Sequence, residues 1–504
     1  MAQSLQINIM EKQLNCKQLF ESALNFQKIK KDKEAETIYE SILRKKNTNF
    51  KTKVLNNLGV IYKDRGLLDT AKKFFINATV ENNLFWEGYL NLGDCFFDME
   101  NYEYAVDSYK KAFLINSNNS KINLHLANAL THLGKIKESK KFYSKISLKD
   151  EYYYFNLANV NFESENYKKA KHFYIKTIKK NKFFFDAHYS LSRTEFLLEN
   201  FYEFQKYFLF RNLRSEIKAN LSNNLNIHNV QIKRFNKIEL TSKKIVFFLE
   251  QGVGDEVFFS SMLDVFKNKF KADINVVVSD RLKNIFKKSF TNINIYSINE
   301  IKKNDFKFHL KLPFGSIMEY LSFPKDLKYL KTPFLYPDLK LNDFWKKKLS
   351  CNNSLNIGIS WQGGTKRYQK EKRSFNPQEL INYLPSNINI INLQPNSEIH
   401  FSQIKSNRNQ NLISFNSIKP LKDLENYFAL INNLDYVFTC DNSVAHFAGS
   451  LGIKTFLFLS NIPDYRWLLK TDRTLFYKSI KLIRKKKTEY WNDCFARSIK
   501  MLRL

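Results

Sequence analysis

Three stretches of this chain carry residue types at spacings that can do chemistry. In Glu250-Gln-Gly-Val-Gly-Asp255, the residues Gln251, Gly252 and Gly254 make a glycine turn that permits close approach of another backbone or a ligand. Asp255 follows at the start of an amphipathic segment running from Glu256 to Phe270. A carboxylate there has two uses, as general base for an acceptor hydroxyl or simply as a helix cap. The third glycine of a dinucleotide fingerprint is missing, which argues against NAD, although Asp280 lies just past the next strand. No Gly-Lys-Ser/Thr follows, so the turn is not a Walker loop. In the second stretch, Asp441, Asn442 and Ser443 are three candidate N-caps for a helix from Val444 to Leu451, with His446 in its first turn. Helix N-termini attract phosphate, so this histidine either hydrogen-bonds a diphosphate or is a helix-start residue exposed to water. In the third, Trp361 to Ser374, Gly363 and Gly364 leave backbone N–H groups open, and Arg367, Lys372 and Arg373 bring positive charge. Diphosphate binding and a merely solvated basic loop both fit. No D-x-D and no His/Cys cluster with ligand spacing occurs, so no metal is expected.

Alternating strands and helices must position these residues. Lys244 to Leu249 reads as a buried strand before the glycine turn, followed by strand Ile274 to Val278, helix Arg281 to Ser289 and strand Phe306 to Leu310. Ser322 to Asn342 carries Pro324, Pro333 and Pro337 and reads as a crossover. A second βα series opens at Leu355 to Ser360. It continues through strand Ile388 to Leu393, helix Leu421 to Asn432 and strand Asp435 to Thr439, and ends with Lys454 to Leu459 after a stop at Gly452. Two Rossmann-like lobes would present the three stretches at a cleft beyond the carboxyl ends of parallel strands.

The N-terminal half repeats itself. Leu58-Gly59 with Tyr62, Ala71, Phe75 and Ala78 recurs as Leu92-Gly93 with Phe96, Ala105, Tyr109 and Ala112, each counterpart 34 residues on. Further copies centre on Leu126-Ala127 and, shortened, on Leu157-Ala158, with a worn one from Leu191-Ser192 to Phe204. A 34-residue period with small residues in each helix and an aromatic at fixed offset resembles the tetratricopeptide repeat. These residues are structural: small ones let two antiparallel helices approach, and aromatics fill the space between pairs. Such arrays offer a concave surface to a partner segment. The expected organisation is a repeat solenoid over 11–210, a capping helix and linker over 211–242, a first lobe with crossover over 243–341, and a second lobe over 342–504.

Composition sets outer bounds. The 504 residues carry a formal charge of +32, mostly from lysine, within a bias toward Lys, Asn, Ile and Phe and away from Gly (13) and Pro (9). That charge is only a weak argument for nucleic acid, since basic faces also attract anionic nucleotides or membrane surfaces. Five scattered cysteines without a CxxC fit a reducing cytosol. No stretch approaches the roughly 20 apolar residues of a membrane span, so a cytoplasmic location is expected.

Taken together, the motifs resemble bacterial tetratricopeptide-repeat glycosyltransferases with a C-terminal GT-B domain, related to heptosyltransferases and more distantly to protein O-GlcNAc transferases. The resemblance rests on Glu250 to Asp255, Ile357 to Gly364, Arg373-Ser374, Asp441 to His446 with Ala448-Gly449, and Pro463-Asp-Tyr-Arg-Trp-Leu468. It implies an α-solenoid followed by a two-lobed α/β domain, and an inverting, metal-independent transfer from a nucleotide-diphosphate sugar to a protein or glycan acceptor. By the same resemblance Asp255 matches the proposed catalytic base, and Arg373 falls where the family places a basic residue on the donor phosphates. Asp441, Ser443 and His446 lie in the donor-diphosphate motif. Arg466 and Trp467 belong to a signature with no role attached. Two positions depart from the family: Asn442 replaces a threonine, removing a hydroxyl, and Val253 replaces a leucine. The alternative is a repeat scaffold with a vestigial C-terminal domain.

Overall fold

The structure, a computed structural model, describes residues 14–45, 48–214, 235–249, 251–303, 307–350, 354–364, 367–406, 409–415 and 422–502. Glu250, most of the 211–242 connector and the side chain of Arg367 lie outside the described residues. The chain forms two compact units, 1–166 and 167–504.

The first unit is a run of antiparallel helix pairs. Cys16–Lys28 pairs with Asp32–Arg44, Lys51–Asp64 with Leu68–Glu81, Trp86–Asp98 with Tyr102–Ile115, and Ser120–His132 with Ile136–Tyr143; Glu151–Glu163 follows. The periodic residues explain the pairing. A Cβ added at Gly59 would sit 2.5 Å from the Phe75 ring, so the ring packs directly on the backbone of its partner helix. Phe75 also joins Ala71, Leu92 and Cys95 in one buried cluster, which ties its pair to the next. Within these four pairs the chain turns through a left-handed residue, Lys30, Gly66, Glu100 and Gly134, and Glu165 after helix 151–163 takes the same conformation, with φ between 60° and 78°. The repeat thus holds its turn geometry even where glutamate or lysine replaces glycine. A cleft of about 570 Å³ opens beside Leu124, His125, Asn128, Ile146, Leu148 and Tyr152. At its wall, Asp94 Oδ1 accepts from the Tyr109 hydroxyl at 2.7 Å and bonds His125 Nδ1 at 2.6 Å.

The second unit holds two parallel sheets. The first has strands β1 (Lys244–Phe248), β2 (Asp273–Val278), β3 (Asn294–Ser297) and β4 (Leu310–Pro313) in the order β3-β2-β1-β4. The second has β5 (Leu355–Ser360), β6 (Ile388–Asn392), β7 (Asn411–Ile413), β8 (Tyr436–Cys440), β9 (Thr455–Leu459) and β10 (Ile480–Arg484) in the order β10-β9-β8-β5-β6-β7. Central strands are apolar because helices cover both faces of a parallel sheet. Three asparagines enter the second sheet in register and satisfy one another. Asn411 Nδ2 donates to Asn389 Oδ1, and Asn389 Nδ2 to Asn356 Oδ1, at 3.0 and 2.9 Å.

Several elements differ from the sequence reading. The segment Glu256 to Phe270 is two helices, Val253–Ser260 and Leu263–Phe270, separated at Ser261-Met262. The strand expected over Phe306 to Leu310 is β4, starting only at Leu310. The expected loop from Trp361 to Ser374 contains the helix Arg367–Arg373.

The repeat helices after residue 166 pack within this second unit. Phe196, in helix Phe185–Leu197, contacts the rings of Phe204, Phe323 and Tyr465 at 4.8–5.7 Å. Gln205, in helix Phe201–Phe208, donates to the carbonyls of Met318 and Leu321 at 2.9 and 2.5 Å. Asn212 donates to Ser316 Oγ at 3.1 Å. The last helix pair is therefore built onto the α/β layers through buried rings and satisfied polar groups.

Candidate functional site

The carboxyl ends of β1, β5 and β8 bring the predicted residues together. After β1, Gly252 has extended backbone, and its carbonyl accepts from the N–H groups of Asp255 and Glu256. Gly252 thereby caps helix Val253–Ser260 and leaves Asp255 in the first turn with its side chain free for other partners. After β8, Asn442 wins the cap among the three candidates: its Oδ1 accepts from Val444 N at 2.9 Å. The same side chain donates to Ser360 Oγ at 2.8 Å and to the Gln362 carbonyl at 3.2 Å. Asn442 therefore pins the start of helix Ser443–Leu451 to the loop after β5.

Glycines let these loops touch. A Cβ at Gly254 would lie 3.3 Å from Ser443 and from His446 Cδ2, so the first turns of helices 253–260 and 443–451 meet across the two sheets. A Cβ at Gly363 would lie 2.5 Å from the Asp441 carbonyl oxygen and 3.2 Å from Arg373 Cβ. Gly364 has φ +84°, a left-handed turn. Ser374 Oγ accepts from Gly363 N at 3.2 Å, while Gln394 Oε1 gathers Ser360 Oγ, Trp361 N and Gln362 N.

A carboxylate–guanidinium network occupies the junction. Asp255 Oδ1 accepts from Arg466 Nη1 at 2.6 Å, and Asp464 Oδ1 accepts from Arg466 Nε at 2.7 Å. Arg373 Nη1 lies 3.2 Å from Asp441 Oδ2 and its Nη2 3.9 Å from Asp464 Oδ2. Both are ion pairs; the first is not aligned as a hydrogen bond, and the second is too long to be one. Trp467 Nε1 donates to Asp441 Oδ1 at 2.8 Å. Burial pushes the Asp464 carboxyl up, but Arg466, Arg193 and Arg373 outweigh it and hold the group well below the usual carboxylate range.

His446 is buried, not exposed. Its Nδ1 bonds the Tyr477 hydroxyl at 2.9 Å, and its ring stacks on Trp467 with centroids 5.3 Å apart. Burial, reinforced by the charge of Arg466, lowers its pKa well below 6.5, so the ring is neutral at pH 7. Ser443 is half-buried, and its hydroxyl makes no hydrogen bond among the described residues. Gln251, in the turn after β1, is half-buried.

Sequence reasoning passes over three groups. Tyr477 has no motif to mark it, because its partner His446 is 31 residues away. Asp464 stands in a signature stretch, but nothing in its spacing shows that it receives Arg466 and faces Arg373. Glu256 is the third: it is buried, its Oε2 accepts from Ser279 N at 2.8 Å, and burial lifts its pKa to about 7. An acid directly after a motif carboxylate was the available signal. Beside the β5 loop a cleft of about 500 Å³ is lined by Trp361, Gln362, Ser374, Gln394, Asn396 and His400.

Comparison with known proteins bears on the repeats. The tetratricopeptide repeat family matches residues 87–119. Protein FlbA of Caulobacter vibrioides (strain ATCC 19089 / CIP 103742 / CB 15) is 23% identical over 294 residues, covering 54% of this chain and 48% of that protein. The chain thus spans about half the length of the curated relative it matches. Among solved structures, a tetratricopeptide repeat protein from Parabacteroides merdae ATCC 43184 is 15% identical, covering 39% of this chain and 78% of that one with a TM-score of 0.35. A thermophilic tetratricopeptide repeat protein from Thermus thermophilus is 14% identical, covering 36% and 98% of the two chains with a TM-score of 0.31. The N-terminal region is a run of helical repeats with a tetratricopeptide repeat at 87–119, and the C-terminal region is α/β with parallel sheets. Among the described residues no helix is long and apolar enough to cross a membrane.

Proposed function

We propose that the chain is a metal-independent inverting glycosyltransferase of GT-B type, moving a sugar from a nucleotide-diphosphate donor to an acceptor hydroxyl. The observation that carries this reading is the close approach of Gly254, the residue before Asp255, to the Ser443–His446 helix start beyond the carboxyl ends of parallel strands from two sheets. One carboxylate oxygen of Asp255 is held by Arg466, and the other accepts no hydrogen bond among the described residues. That oxygen takes the acceptor proton. The acceptor oxygen then bonds the anomeric carbon as the bond to the diphosphate breaks, and the nucleoside diphosphate leaves with the electron pair. The free Ser443 hydroxyl, the amides at the start of helix 443–451 and Arg373 carry the leaving charge. Neutral His446 adds a polar ring nitrogen without a second proton to lose. The 500 Å³ cleft is in the range for a small-ligand site and would take the nucleoside. The repeats, with their own 570 Å³ cleft, would recruit a protein acceptor.

The test pairs binding with turnover. A panel of nucleoside diphosphates and their sugars should stabilise the wild-type protein, by roughly 2.7 kcal/mol at 100 times Kd. Asp255→Asn should abolish transfer and sugar-nucleotide hydrolysis while keeping nucleoside diphosphate affinity within a few-fold. Full turnover in that variant would remove the base assignment. No stabilisation by any nucleotide would leave the scaffold reading in possession.

A further inference from the structure

We propose that Arg466 is a second catalytic cation, one that orients the base with one nitrogen and takes the leaving diphosphate with another; this rests on the transfer reading above. The guanidinium has three nitrogens, and two are committed. Nε donates to Asp464 and Nη1 to Asp255. Nη2 makes no hydrogen bond among the described residues. The Phe258 ring lies 5.2 Å and the Tyr465 ring 5.7 Å from its carbon. With two carboxylates on its edge and its side chain 13% exposed, the cation does not swing to solvent, so the direction of Nη2 is set by the fold.

Geometry makes that direction useful. In an inverting displacement the base and the leaving oxygen stand on opposite sides of the anomeric carbon. A guanidinium bridging carboxylate and phosphate through two nitrogens spans roughly 7 Å from oxygen to oxygen. That span suits the separation of base and leaving group, with the acceptor oxygen and the anomeric carbon between. The neighbours agree. Arg466 Nη1 bonds Asp255, whose neighbour Gly254 lies against Ser443 and His446, and His446 stacks on Trp467, the residue after Arg466. The guanidinium therefore lies by the helix start that the proposed diphosphate would occupy. Asp464, which receives both the backbone N–H and the Nε of Arg466, is the positioning residue.

The experiment uses the full chain with nucleoside diphosphates and the matching uncharged nucleosides. Arg466→Ala should weaken diphosphate binding roughly ten-fold or more, the loss of one charge-assisted bond, and leave nucleoside binding within two-fold. Arg466→Lys should recover part of the loss, and it stands in for the alanine variant if circular dichroism shows that one to be unfolded. Asp255→Asn, by releasing Arg466 from a carboxylate, should tighten diphosphate binding up to a few-fold. A wild-type protein that binds nucleoside diphosphate, with folded variants that bind it equally well, overturns the role of Arg466 alone. Equal losses for nucleoside and diphosphate overturn it too, since a merely structural arginine would act that way. A wild-type protein that binds no nucleoside diphosphate overturns the transfer reading and this inference with it.

Discussion

Replacing Glu256 with glutamine should erase a pH dependence of stability that the wild-type fold carries. The carboxyl is 2% exposed, and burial lifts its pKa from the ordinary value of 4.5 to about 7, against the pull of the Ser279 N–H and the charge of Arg281. Between those two values the folded protein keeps a proton that the unfolded chain has released. Bound protons then favour the folded state, so stability falls as pH rises through the window and levels off above about 7. At about 1.4 kcal/mol per pH unit, the loss from pH 4 to pH 8 is on the order of 3 kcal/mol. Glutamine has nearly the same shape, and its carbonyl oxygen can accept from Ser279 N, but it has no proton to lose. The assay is urea unfolding at pH 4 and pH 8 for wild type and Glu256→Gln. Tryptophan emission suits it, because Trp345, Trp361, Trp467 and Trp491 lie in unit 167–504 and only Trp86 outside it. The variant should gain on wild type by roughly 3 kcal/mol at pH 8 relative to pH 4. Comparing the two proteins cancels other titrating groups. Parallel curves, within about 0.5 kcal/mol at both pH values, would refute the claim that this buried acid is held protonated by its surroundings.

Two further substitutions test how the site is assembled. Gly363→Ala places a methyl 2.5 Å from the Asp441 carbonyl oxygen, so one loop must move; denaturant unfolding should show a loss of about 1–3 kcal/mol. Nucleoside diphosphate affinity should fall with it, whereas unchanged stability and affinity would mean the two loops yield freely. Phe196→Ala empties a fully buried site among Phe204, Phe323 and Tyr465, at an expected cost of about 3–5 kcal/mol to the transition of unit 167–504. A loss below about 1 kcal/mol would mean that the last helix pair is not built onto the sheets.

Legibility followed burial and sequence distance. The interior strands β1, β2, β5, β6, β8 and β9 were readable because helices on both faces make them continuous apolar runs. The four edge strands were missed or misplaced. β3, β7 and β10 are short or carry polar residues such as Asn294, Asn411 and Lys481, and β4 begins four residues after its apparent start. An edge strand has one neighbour to satisfy, so its sequence is under weaker constraint. In the repeats the glycine and aromatic positions were legible because a local 34-residue period imposes them. The turn residues were not, since Glu100 and Glu165 adopt a conformation that their side chains do not announce. At the site, Asp255, Gly254, Arg373 and Ser443 stood out because each lies in a compact motif. Arg466 stood in a recognisable motif, but its partner Asp255 is 211 residues away, and a contact of that range leaves no spacing to read.

The loop from Asp464 to Trp467 is where these scales of information meet. Its aspartate takes the charge of Arg466 and Arg373, and it also lies in the field of Arg193 from repeat helix 185–197. Its tyrosine is packed by Phe196 and Phe204 of the last repeat pair. Its arginine grips Asp255, in the helix after β1 of the first sheet, and its tryptophan donates to Asp441, just past β8 of the second. Four consecutive residues therefore answer to one repeat pair and two sheets at once. A loop with so many partners cannot relax one contact without disturbing another. That is a physical reason for the last repeat to belong to the α/β unit. A repeat pair free of the sheets would leave Arg466, the side chain that holds Asp255, supported from only one direction.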